Sequence, residues 1–557
     1  MLFALIWQGL VSTTCAAAAQ VQQALCDQGN YHGVPGIPDS ISAEQLCSAT
    51  QFASLDIYGA HVLNLVTTHQ QNYTFAPPPV PGFPGGPYTN LDFCNVTITY
   101  THPGWNDEIN IIVLLPTKNW NGRFQATGGG GFVTGGGPLA SLFLAPGLTD
   151  GFVVATTDGG HTAELSDAVD ASSWALSSPG NVNWPLLVDF ASAALHDMAE
   201  FGKAVTAAYY GMPPHYSYFH GASTGGRQGF MFAQMYPDDF DGIVAICPAI
   251  NWVQFIVADY WPQFVMNQLG VYPRTCELTA ITKAAIAACD ELDGVEDGII
   301  SLPGLCDFDP HTLVGKTFDC AGETATFNSA AAAVADAAWS GPRSSTGEWQ
   351  WFGVGRDADL GGIAMTSCDD DDDERGGSGS CQGSPFPIPT SWIRHFLKRD
   401  ADFDVKTLTH DDWDELFYAS VHQYQSVIGT SNPDLSAFRK RGGKMLSWHG
   451  LRDAVIPANG SVQYYDRVLQ RDPAAHDYFR LVLVPGAGHA LHEGPTPKNM
   501  MEAIVKWVEE GDVPETLRGV GPDGHGTVVE RNLCVYPRVQ VYQGGDPTVP
   551  GSFTCTE

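Results

Sequence analysis

The chain has 557 residues, with 27 lysines and arginines against 61 aspartates and glutamates, so its formal net charge is −34. This acidity would repel phosphate backbones and anionic lipid heads, so we expect no nucleic-acid or membrane partner. Apolar residues make up 44% of the chain, which excludes a disordered protein, and the length predicts more than one packed unit.

The N-terminus resembles an export signal. Residues 1–11 are almost wholly apolar and run into four alanines at 16–19, a pattern of small residues that is typical of a signal-peptide cleavage site. No later segment has 18 uninterrupted apolar residues. We therefore predict that residues 1–19 are a signal peptide and that the protein is secreted and extracellular.

The cysteines agree with an oxidising environment. Removing residues 1–19 takes away Cys15 and leaves 12 of the 13 cysteines, and an even number suits a disulfide-bonded extracellular protein. Local spacing predicts the pairs Cys289–Cys306 and Cys534–Cys555. Three glycosylation sequons, at Asn72, Asn95 and Asn459, are consistent with secretion.

Strand and helix patterns alternate along the first half of the chain. Residues up to about 75 are predicted to be helical and mixed. Strand-like runs follow at 95–100, 109–115, 123–126, 152–156 and 216–219, with a helical pattern at 186–208. Such alternation predicts a mostly parallel sheet with crossover helices.

The alternation stops between residues 250 and 431, where paired cysteines and acidic turns replace it. The acidic run 369–374 is interpreted as a solvated loop tip, with a cation site as the alternative. Alternation resumes with predicted strands at 444–448 and 479–484 and helices at 462–470 and 499–510. We therefore predict a core built from residues 20–249 and 432–557, with residues 250–431 inserted as a second domain.

A nucleophile motif follows the predicted strand 216–219. Gly221-Ala222-Ser223-Thr224-Gly225 has the pattern G-x-S-x-G, and a helix is predicted to begin near Arg227. Small neighbours are needed because the turn is tight, and its strain exposes the serine hydroxyl above the sheet. The motif predicts Ser223 as a nucleophile; an ordinary glycine-rich turn is the alternative.

A serine nucleophile needs a base that is oriented by an acid, and both are expected later in the chain. In the α/β-hydrolase order, the acid follows a late strand, and Asp453 follows 444–448. The next strand leads through glycines to His489, the predicted base. His492 lacks this strand-then-glycine approach, and Asp466 lies on a predicted helix. His449 and His161 are interpreted as loop histidines that hydrogen-bond near the site.

An oxyanion requires backbone N–H donors with no side chain in the way. The run Gly128-Gly129-Gly130-Gly131 follows the predicted strand 123–126. We predict one donor from Gly129 or Gly130 and the other from Thr224, directly after the nucleophile. A flexible glycine loop is the alternative, and Gly135-Gly136-Gly137 is a second candidate for the donor loop.

With these motifs assembled, the chain resembles the fungal tannase and feruloyl esterase family over most of its mature length. The matching blocks lie at 120–124, 128–131, 158–161, 223–229, 240–245, 442–444, 448–450 and 485–489. The resemblance implies an α/β-hydrolase core with a large inserted lid domain and a Ser-Asp-His triad. It implies hydrolysis of esters of phenolic acids such as ferulate or gallate, so a small phenolic ester or plant-polymer ester is the expected substrate.

The chain departs from this family beside the catalytic residues. Where the family carries a disulfide between the residue before the serine and the residue after the histidine, this chain has Ala222 and Ala490. Joint replacement fits the loss of one bond, since a single leftover thiol would be prone to oxidation. We therefore predict that the two alanine Cα atoms lie about 4.4–6.8 Å apart.

The inserted segment contains a loop rich in carboxylates. Asp290, Asp293 and Asp297 lie on a glycine-containing loop between Cys289 and Cys306, and such hard oxygens suit calcium as well as a solvated acidic turn. The family resemblance implies a structural calcium bound by these aspartates and by the carbonyls of Val295 and Ile299.

The sequence therefore predicts a secreted serine-type carboxylic ester hydrolase. A lipase-like or peptidase hydrolase would use the same triad, because the triad fixes acyl transfer and not the leaving group. A non-catalytic secreted binding protein with the same fold is the alternative from another class.

Overall fold

The computed structural model describes residues 42–77, 86–320, 322–368, 381–489 and 493–557. Several predictions lie outside these ranges: the signal peptide 1–19, the acidic run 369–374, the rival histidine His492, and the Ala222–Ala490 separation, since Ala490 is not described.

Nine strands form one central sheet. In chain order they are β1 (His61–Phe75), β2 (Tyr88–Thr101), β3 (Ile109–Pro116), β4 (Arg123–Thr127), β5 (Val153–Thr157), β6 (Tyr216–Ala222), β7 (Gly242–Ile246), β8 (Lys444–Gly450) and β9 (Phe479–Val484). Their order across the sheet is β1-β2-β3-β5-β4-β6-β7-β8-β9. Pairing is antiparallel from β1 through β3 to β5, and parallel between all neighbours from β5 to β9. The predicted mostly parallel sheet is confirmed.

Both faces of the sheet are covered, which explains why the parallel strands are nearly continuous apolar runs. All five residues of β7 are buried. Because side chains alternate between the faces of a strand, Ile243 and Ala245 enter one hydrophobic cluster, whereas Val244 and Ile246 enter the other. The core thus lies in two layers that hold the sheet between them.

Helices cover the sheet and fill the long connections. The α-helices span Ala43–Leu46, Pro138–Thr149, Trp184–Ala191, Ala193–Tyr210, Thr224–Met235, Trp252–Ala258, Trp261–Leu269, Thr275–Cys289, Ser329–Ser340, Pro387–Ser391, His410–Ile428, Ser436–Arg441, Ala458–Arg471 and Met500–Glu510, and a π-helix spans Trp392–Lys398. None of the described helices is both long and apolar enough to cross a membrane.

Residues 247–443, which we call the insertion, separate β7 from β8 in the sequence. The two strands are nevertheless direct neighbours, with Lys444 opposite Gly242. The sheet is therefore interrupted along the chain and continuous in space, as predicted. The described part of the insertion contributes helices and two short hairpins, Thr317–Cys320 with Glu323–Thr326 and Thr366–Cys368 with Cys381–Gly383. Domain boundaries at 250 and 431 remain a prediction.

The predicted helical character of residues up to 75 is wrong for β1. This strand lies at the sheet edge and pairs only with β2, so most of its side chains face solvent and no apolar alternation marks it. Beyond β9, two more hairpins close the chain: Thr516–Pro522 with Val528–Cys534, and Val539–Tyr542 with Phe553–Thr556.

Five disulfides join described cysteines. The two predicted pairs, Cys289–Cys306 and Cys534–Cys555, are confirmed. The others, for which spacing gave no pairing, are Cys47–Cys94, Cys276–Cys320 and Cys368–Cys381. Cys247 is a buried free thiol.

Candidate active site

The parallel strands bring three distant segments to one edge of the sheet. β6, β8 and β9 end at Ala222, Gly450 and Val484, and the registers place these ends at the same edge. Because side chains that follow the carboxyl ends of parallel strands meet there, Ser223, Asp453 and His489 converge.

Ser223 occupies a strained turn between β6 and the helix Thr224–Met235. Its backbone has φ 60° and ψ −121°, a conformation that non-glycine residues rarely adopt. A Cβ at Gly221 would lie 2.6 Å from the carbonyl oxygen of Gly225, and one at Gly226 would lie 2.6 Å from that of Ile246. The glycines are therefore required by close packing. The helix begins at Thr224, three residues before the predicted start.

Asp453 is the fixed carboxylate of the site, with only 1% of its surface exposed. Its Oδ1 accepts hydrogen bonds from the backbone N–H groups of Val455 (3.0 Å) and Ile456 (2.8 Å). Its Oδ2 lies 2.8 Å from His489 Nδ1 and 3.1 Å from His449 Nε2. These four contacts hold the carboxylate in one orientation.

His489 joins the acid to the serine. Its Nδ1 faces Asp453, and its Nε2 lies 3.1 Å from Ser223 Oγ. Because the carboxylate can only accept, Nδ1 carries the proton in the neutral imidazole, which leaves Nε2 free to accept from the serine hydroxyl. The side chain is 27% exposed, so one edge of the ring faces the space above the serine.

Electrostatics reinforce this arrangement. Burial by itself disfavours the Asp453 carboxylate, but His489 and His449 outweigh it and lower the pKa of Asp453 below its ordinary value. Burial also disfavours a charged His489, but Asp453 outweighs it and raises the pKa of His489 above 6.5. Asp453 therefore makes the neutral imidazole of His489 a stronger base and stabilises the imidazolium that forms once a proton has been accepted.

His449 is a second imidazole on the same carboxylate. Its Nδ1 lies 2.8 Å from Ser461 Oγ, and its Nε2 also lies 3.0 Å from the carbonyl oxygen of Ile456. With oxygen acceptors around Nε2, this nitrogen carries the proton and Nδ1 accepts from Ser461. The predicted role of His449, hydrogen bonding near the site, agrees with this geometry; its direct bond to Asp453 was not anticipated.

The other rivals lie apart from the serine. His161 bonds Thr134 Oγ1 at 3.0 Å and stacks on Trp174, and burial lowers its pKa to about 4. Asp466 lies on the helix Ala458–Arg471 and accepts a hydrogen bond from the hydroxyl of Tyr536. Neither has a described contact with Ser223.

The glycine run is anchored rather than free. The carbonyl oxygen of Gly129 accepts from the N–H of Gly225 at 3.1 Å, and that of Gly131 accepts from Thr224 Oγ1 at 2.6 Å. The N–H of Gly129 is directed to Gln228 Oε1 at 3.4 Å, and the Gln228 amide donates to the Thr134 carbonyl. Gly129 is thus engaged elsewhere.

Gly131 lies in the wall of a cavity with Ser223, Thr224 and His489. The loop donor at Gly129 or Gly130 stays a prediction, and Gly131 is a further candidate because it lines the cavity. Thr224 is the first residue of its helix, so its N–H has no intrahelical partner and is available to a ligand.

The cavity beside the serine has a volume of about 160 Å³ and is largely apolar. Its aromatic wall comes from the insertion and consists of Trp252, Phe255 and Phe386. A buried carboxyl group, Asp259, also lines it. Sequence reasoning missed Asp259, because a lone aspartate after an apolar helix carries no recognisable motif.

The buried thiol of Cys247 lies close to Asp453 and His489. One ligand atom from each of Cys247, Asp453 and His489 lies within 4.8 Å of the others. Burial, and then the charge of Asp453, raise the pKa of the Cys247 thiol. The thiol therefore stays neutral and does not compete with Ser223 as a nucleophile.

The predicted calcium loop contains three buried carboxylates, at Asp290, Asp293 and Asp297. Asp290 accepts from three backbone N–H groups between residues 297 and 299. Asp297 Oδ2 pairs with Arg531 at 2.9 Å, whereas its Oδ1 is buried without a partner. Carboxylate oxygens are suitable ligands for a hard cation such as calcium. Binding a cation would give the unpaired Asp297 Oδ1 a partner.

The fit requires movement, however. In the described structure, the carboxylate oxygens of the three aspartates do not all lie within 4.8 Å of one another. They would have to draw inward around an ion.

Comparisons with known proteins identify the family of this chain. A family model described as tannase and feruloyl esterase matches residues 94–556. A probable feruloyl esterase of Arthroderma benhamiae is 43% identical over 508 residues, covering 90% of this chain and 91% of that protein. A tannase of Aspergillus oryzae is 30% identical over 532 residues, covering 84% and 86%. The structure of a tannin acyl hydrolase from Aspergillus niger superposes with a TM-score of 0.80 at 27% identity, covering 92% of this chain and 95% of that one. The chain therefore belongs to the tannase and feruloyl esterase family.

Proposed function

We propose that the protein, a carboxylic ester hydrolase by its family, cleaves esters of phenolic acids through Ser223, His489 and Asp453. The observation that carries this proposal is the continuous chain from Asp453 Oδ2 through His489 to Ser223 Oγ, with contacts of 2.8 and 3.1 Å, at the mouth of an apolar cavity.

The proposed reaction begins when Ser223 Oγ attacks the ester carbonyl carbon and His489 Nε2 takes its proton. The carbonyl electron pair moves onto oxygen, where the Thr224 N–H and a donor from the glycine loop stabilise the negative charge. Collapse of this intermediate expels the alcohol, which receives the proton from His489. Water repeats the sequence on the acyl-enzyme and releases the acid and the free serine.

Asp453 is proposed to orient the imidazole and to stabilise its protonated form. The four contacts on its carboxylate fix that orientation before substrate binds. Such preorganisation matters, since a displacement of 1 Å at the reacting atoms can cost about 100-fold in rate.

Phenolic acyl groups are favoured by the cavity and by the family. The aromatic wall of Trp252, Phe255 and Phe386 can stack on a planar ring. The named relatives are a probable feruloyl esterase and a tannase. A panel of methyl ferulate, methyl gallate, short p-nitrophenyl esters and a peptide tests this proposal. Preference for the peptide or for long aliphatic esters would favour a peptidase or lipase-like activity instead.

Covalent labelling tests the nucleophile. A fluorophosphonate probe should label the purified protein at Ser223, and Ser223→Ala should abolish both labelling and ester hydrolysis, with a loss of at least about 10⁴-fold. Ser141→Ala is a matched control, since the Ser141 hydroxyl donates to the Pro138 carbonyl and lies outside the cavity wall. A wild-type protein that takes no label would favour a non-catalytic binding protein.

The calcium site is a separate proposal, because no step of the reaction uses the metal. Asp290, Asp293 and Asp297, with the carbonyls of Val295 and Ile299, would hold calcium as a structural ion between the Cys289–Cys306 disulfide and the C-terminal region. Bound calcium would offset the repulsion among the three carboxylates.

Chelation tests the calcium proposal. EGTA should lower the melting midpoint of the wild-type protein, and added calcium should restore it, because an ion that binds only the folded state stabilises that state. Asp297→Asn should weaken both responses. A melting midpoint that changes with neither EGTA nor added calcium would refute the calcium site.

A further inference from the structure

The cavity contains a carboxyl group that the reaction does not use. Asp259 directly follows the helix Trp252–Ala258 and lines the cavity together with Ser223 and His489. It is 4% exposed. No hydrogen bond or ion pair to its carboxyl group exists within the described residues, whereas Asp453, which is 1% exposed, has four contacts.

No hydrogen bond from a described residue stabilises a carboxyl group at this position. A buried polar group without a partner is destabilising by about 1–3 kcal/mol. Asp259 lies between the C-terminus of the helix Trp252–Ala258 and the N-terminus of the helix Trp261–Leu269, so the two helix dipoles act on its carboxyl group in opposite directions. Burial, followed by the charge of Asp453, raises the pKa of Asp259 well above its ordinary value. A neutral carboxyl group both donates and accepts hydrogen bonds.

The other polar side chains of the cavity are already engaged. Ser223 and His489 bond to each other, and the hydroxyl of Thr224 donates to the Gly131 carbonyl. Among the described side chains of the cavity wall, a ligand that enters therefore meets aromatic rings and one polar group without a hydrogen-bond partner, Asp259. Pockets of this kind bind an apolar body and use the polar group to fix its orientation.

We propose that Asp259 is the specificity-determining residue that hydrogen-bonds a ring hydroxyl of the phenolic acyl group while the ester carbonyl lies at Ser223. This inference rests on the proposed function, and it adds the residue that distinguishes a hydroxylated ring from a bare one. A ring hydroxyl can donate a hydrogen bond to a carboxyl group and accept one from it. It would therefore give the Asp259 carboxyl group the hydrogen-bond partner that the described residues do not supply.

Matched ester pairs test the proposal. Methyl p-coumarate and methyl cinnamate differ only in the ring hydroxyl, as do methyl 4-hydroxybenzoate and methyl benzoate. We expect Asp259→Leu to lower the ratio of kcat/KM for the hydroxylated ester to that for the bare ester by about 10- to 100-fold in at least one pair. Asp259→Asn, which keeps a donor and an acceptor in nearly the same shape, should lower the ratio less.

A matched control is available at Asp189. Its carboxyl group is buried without a hydrogen-bond partner, with Oδ1 3.6 Å from His102 Nδ1, and it lies outside the cavity wall. Asp189→Asn should leave both substrate ratios at the wild-type value. If Asp259→Leu and Asp259→Asn change both members of each pair equally, Asp259 does not read the hydroxyl and the proposal is wrong.

A binding measurement separates this proposal from the proposed function. Calorimetry with the Ser223→Ala variant compares the Kd of p-coumarate with that of cinnamate without any turnover. A preference for p-coumarate that disappears when Asp259→Leu is added supports Asp259 even if the wild-type protein hydrolyses no phenolic ester. Equal affinities for the two acids in Ser223→Ala, together with normal ester hydrolysis by the wild type, would overturn the role of Asp259 alone.

Discussion

The described residues contain two clusters in which carboxylates contact imidazoles, and one of these clusters contacts the hydroxyl of Ser223. In the first, Asp453 is shared by His489 and His449. In the second, His102 lies between Asp107, with Nδ1 to Oδ2 at 2.6 Å, and Asp197, with Nε2 to Oδ2 at 2.8 Å. Asp189 Oδ1 is 3.6 Å from His102 Nδ1.

The ratio of acids to histidines gives the two clusters opposite electrostatics. At the Asp453 cluster, two imidazoles hydrogen-bond one carboxylate and lower the pKa of Asp453. At the second, three carboxyl groups surround one imidazole. Burial, opposed by His102 and aided by the other two aspartates, raises the pKa of Asp189 to about 8. Burial lowers the pKa of His102, but its aspartate neighbours outweigh burial and raise it to about 9.

The comparison separates an acid–base network from the proposed catalytic site. The nearest hydroxyls of the His102 cluster donate to carboxylates: Tyr100 to Asp197 and Thr101 to Asp107. Neither donates to the imidazole as Ser223 does at His489. At the triad the serine lies on a strained turn that exposes its hydroxyl to a cavity. A general base contributes to catalysis only where it contacts a nucleophilic hydroxyl beside a substrate-binding cavity.

The largest expected effect comes from Asp453→Asn. Loss of the carboxylate favours the wrong tautomer of His489, so we expect kcat to fall by about 10⁴-fold. Loss of the negative charge should also lower the pKa of His489. Since the base must be neutral, activity falls as pH drops through that pKa, and the acid limb of the kcat/KM profile should therefore move to lower pH in the variant.

Asp189→Asn is the matched substitution at the second cluster, and kcat/KM should stay at the wild-type value with an unmoved acid limb. Residual activity of Asp453→Asn within tenfold of the wild type would show that the triad geometry does not govern the reaction. An Asp189→Asn enzyme that loses activity as strongly would remove the distinction between the clusters.

The convergence of the three proposed triad residues was predictable because each follows a strand whose sequence pattern was recognised. G-x-S-x-G, the approach to Asp453 after β8 and the glycines before His489 are local signals, and the parallel register turns them into one site. Asp259 and the bond from His449 to Asp453 have no such signal, because they depend on how the insertion and the loop after β8 pack against the sheet.

The fold shows the same division. Buried strands such as β5 and β9 were predicted nearly to the residue, because burial on both faces demands continuous apolar sequence. The edge strand β1 was misread because its side chains are mostly exposed. The helix Pro138–Thr149 was missed because it is buried on nearly all sides and shows no polar face.

The smallest expected effect is on stability, at the second cluster. The folded-state pKa of Asp189 is raised to about 8, so the folded protein keeps a proton that the unfolded chain releases near pH 4. This contribution to stability is fully present below pH 4 and is lost as pH rises towards 8. The raised pKa of His102, about 9, acts in the same direction between about pH 6.5 and 9. The free energy of unfolding should therefore fall with rising pH.

Asparagine does not titrate, so Asp189→Asn should become more stable relative to the wild type by about 1–3 kcal/mol between pH 5 and pH 8, measured by urea unfolding. A difference between the two proteins that is independent of pH would mean that Asp189 is ionised in the folded state, held by a partner that supplies the missing positive charge.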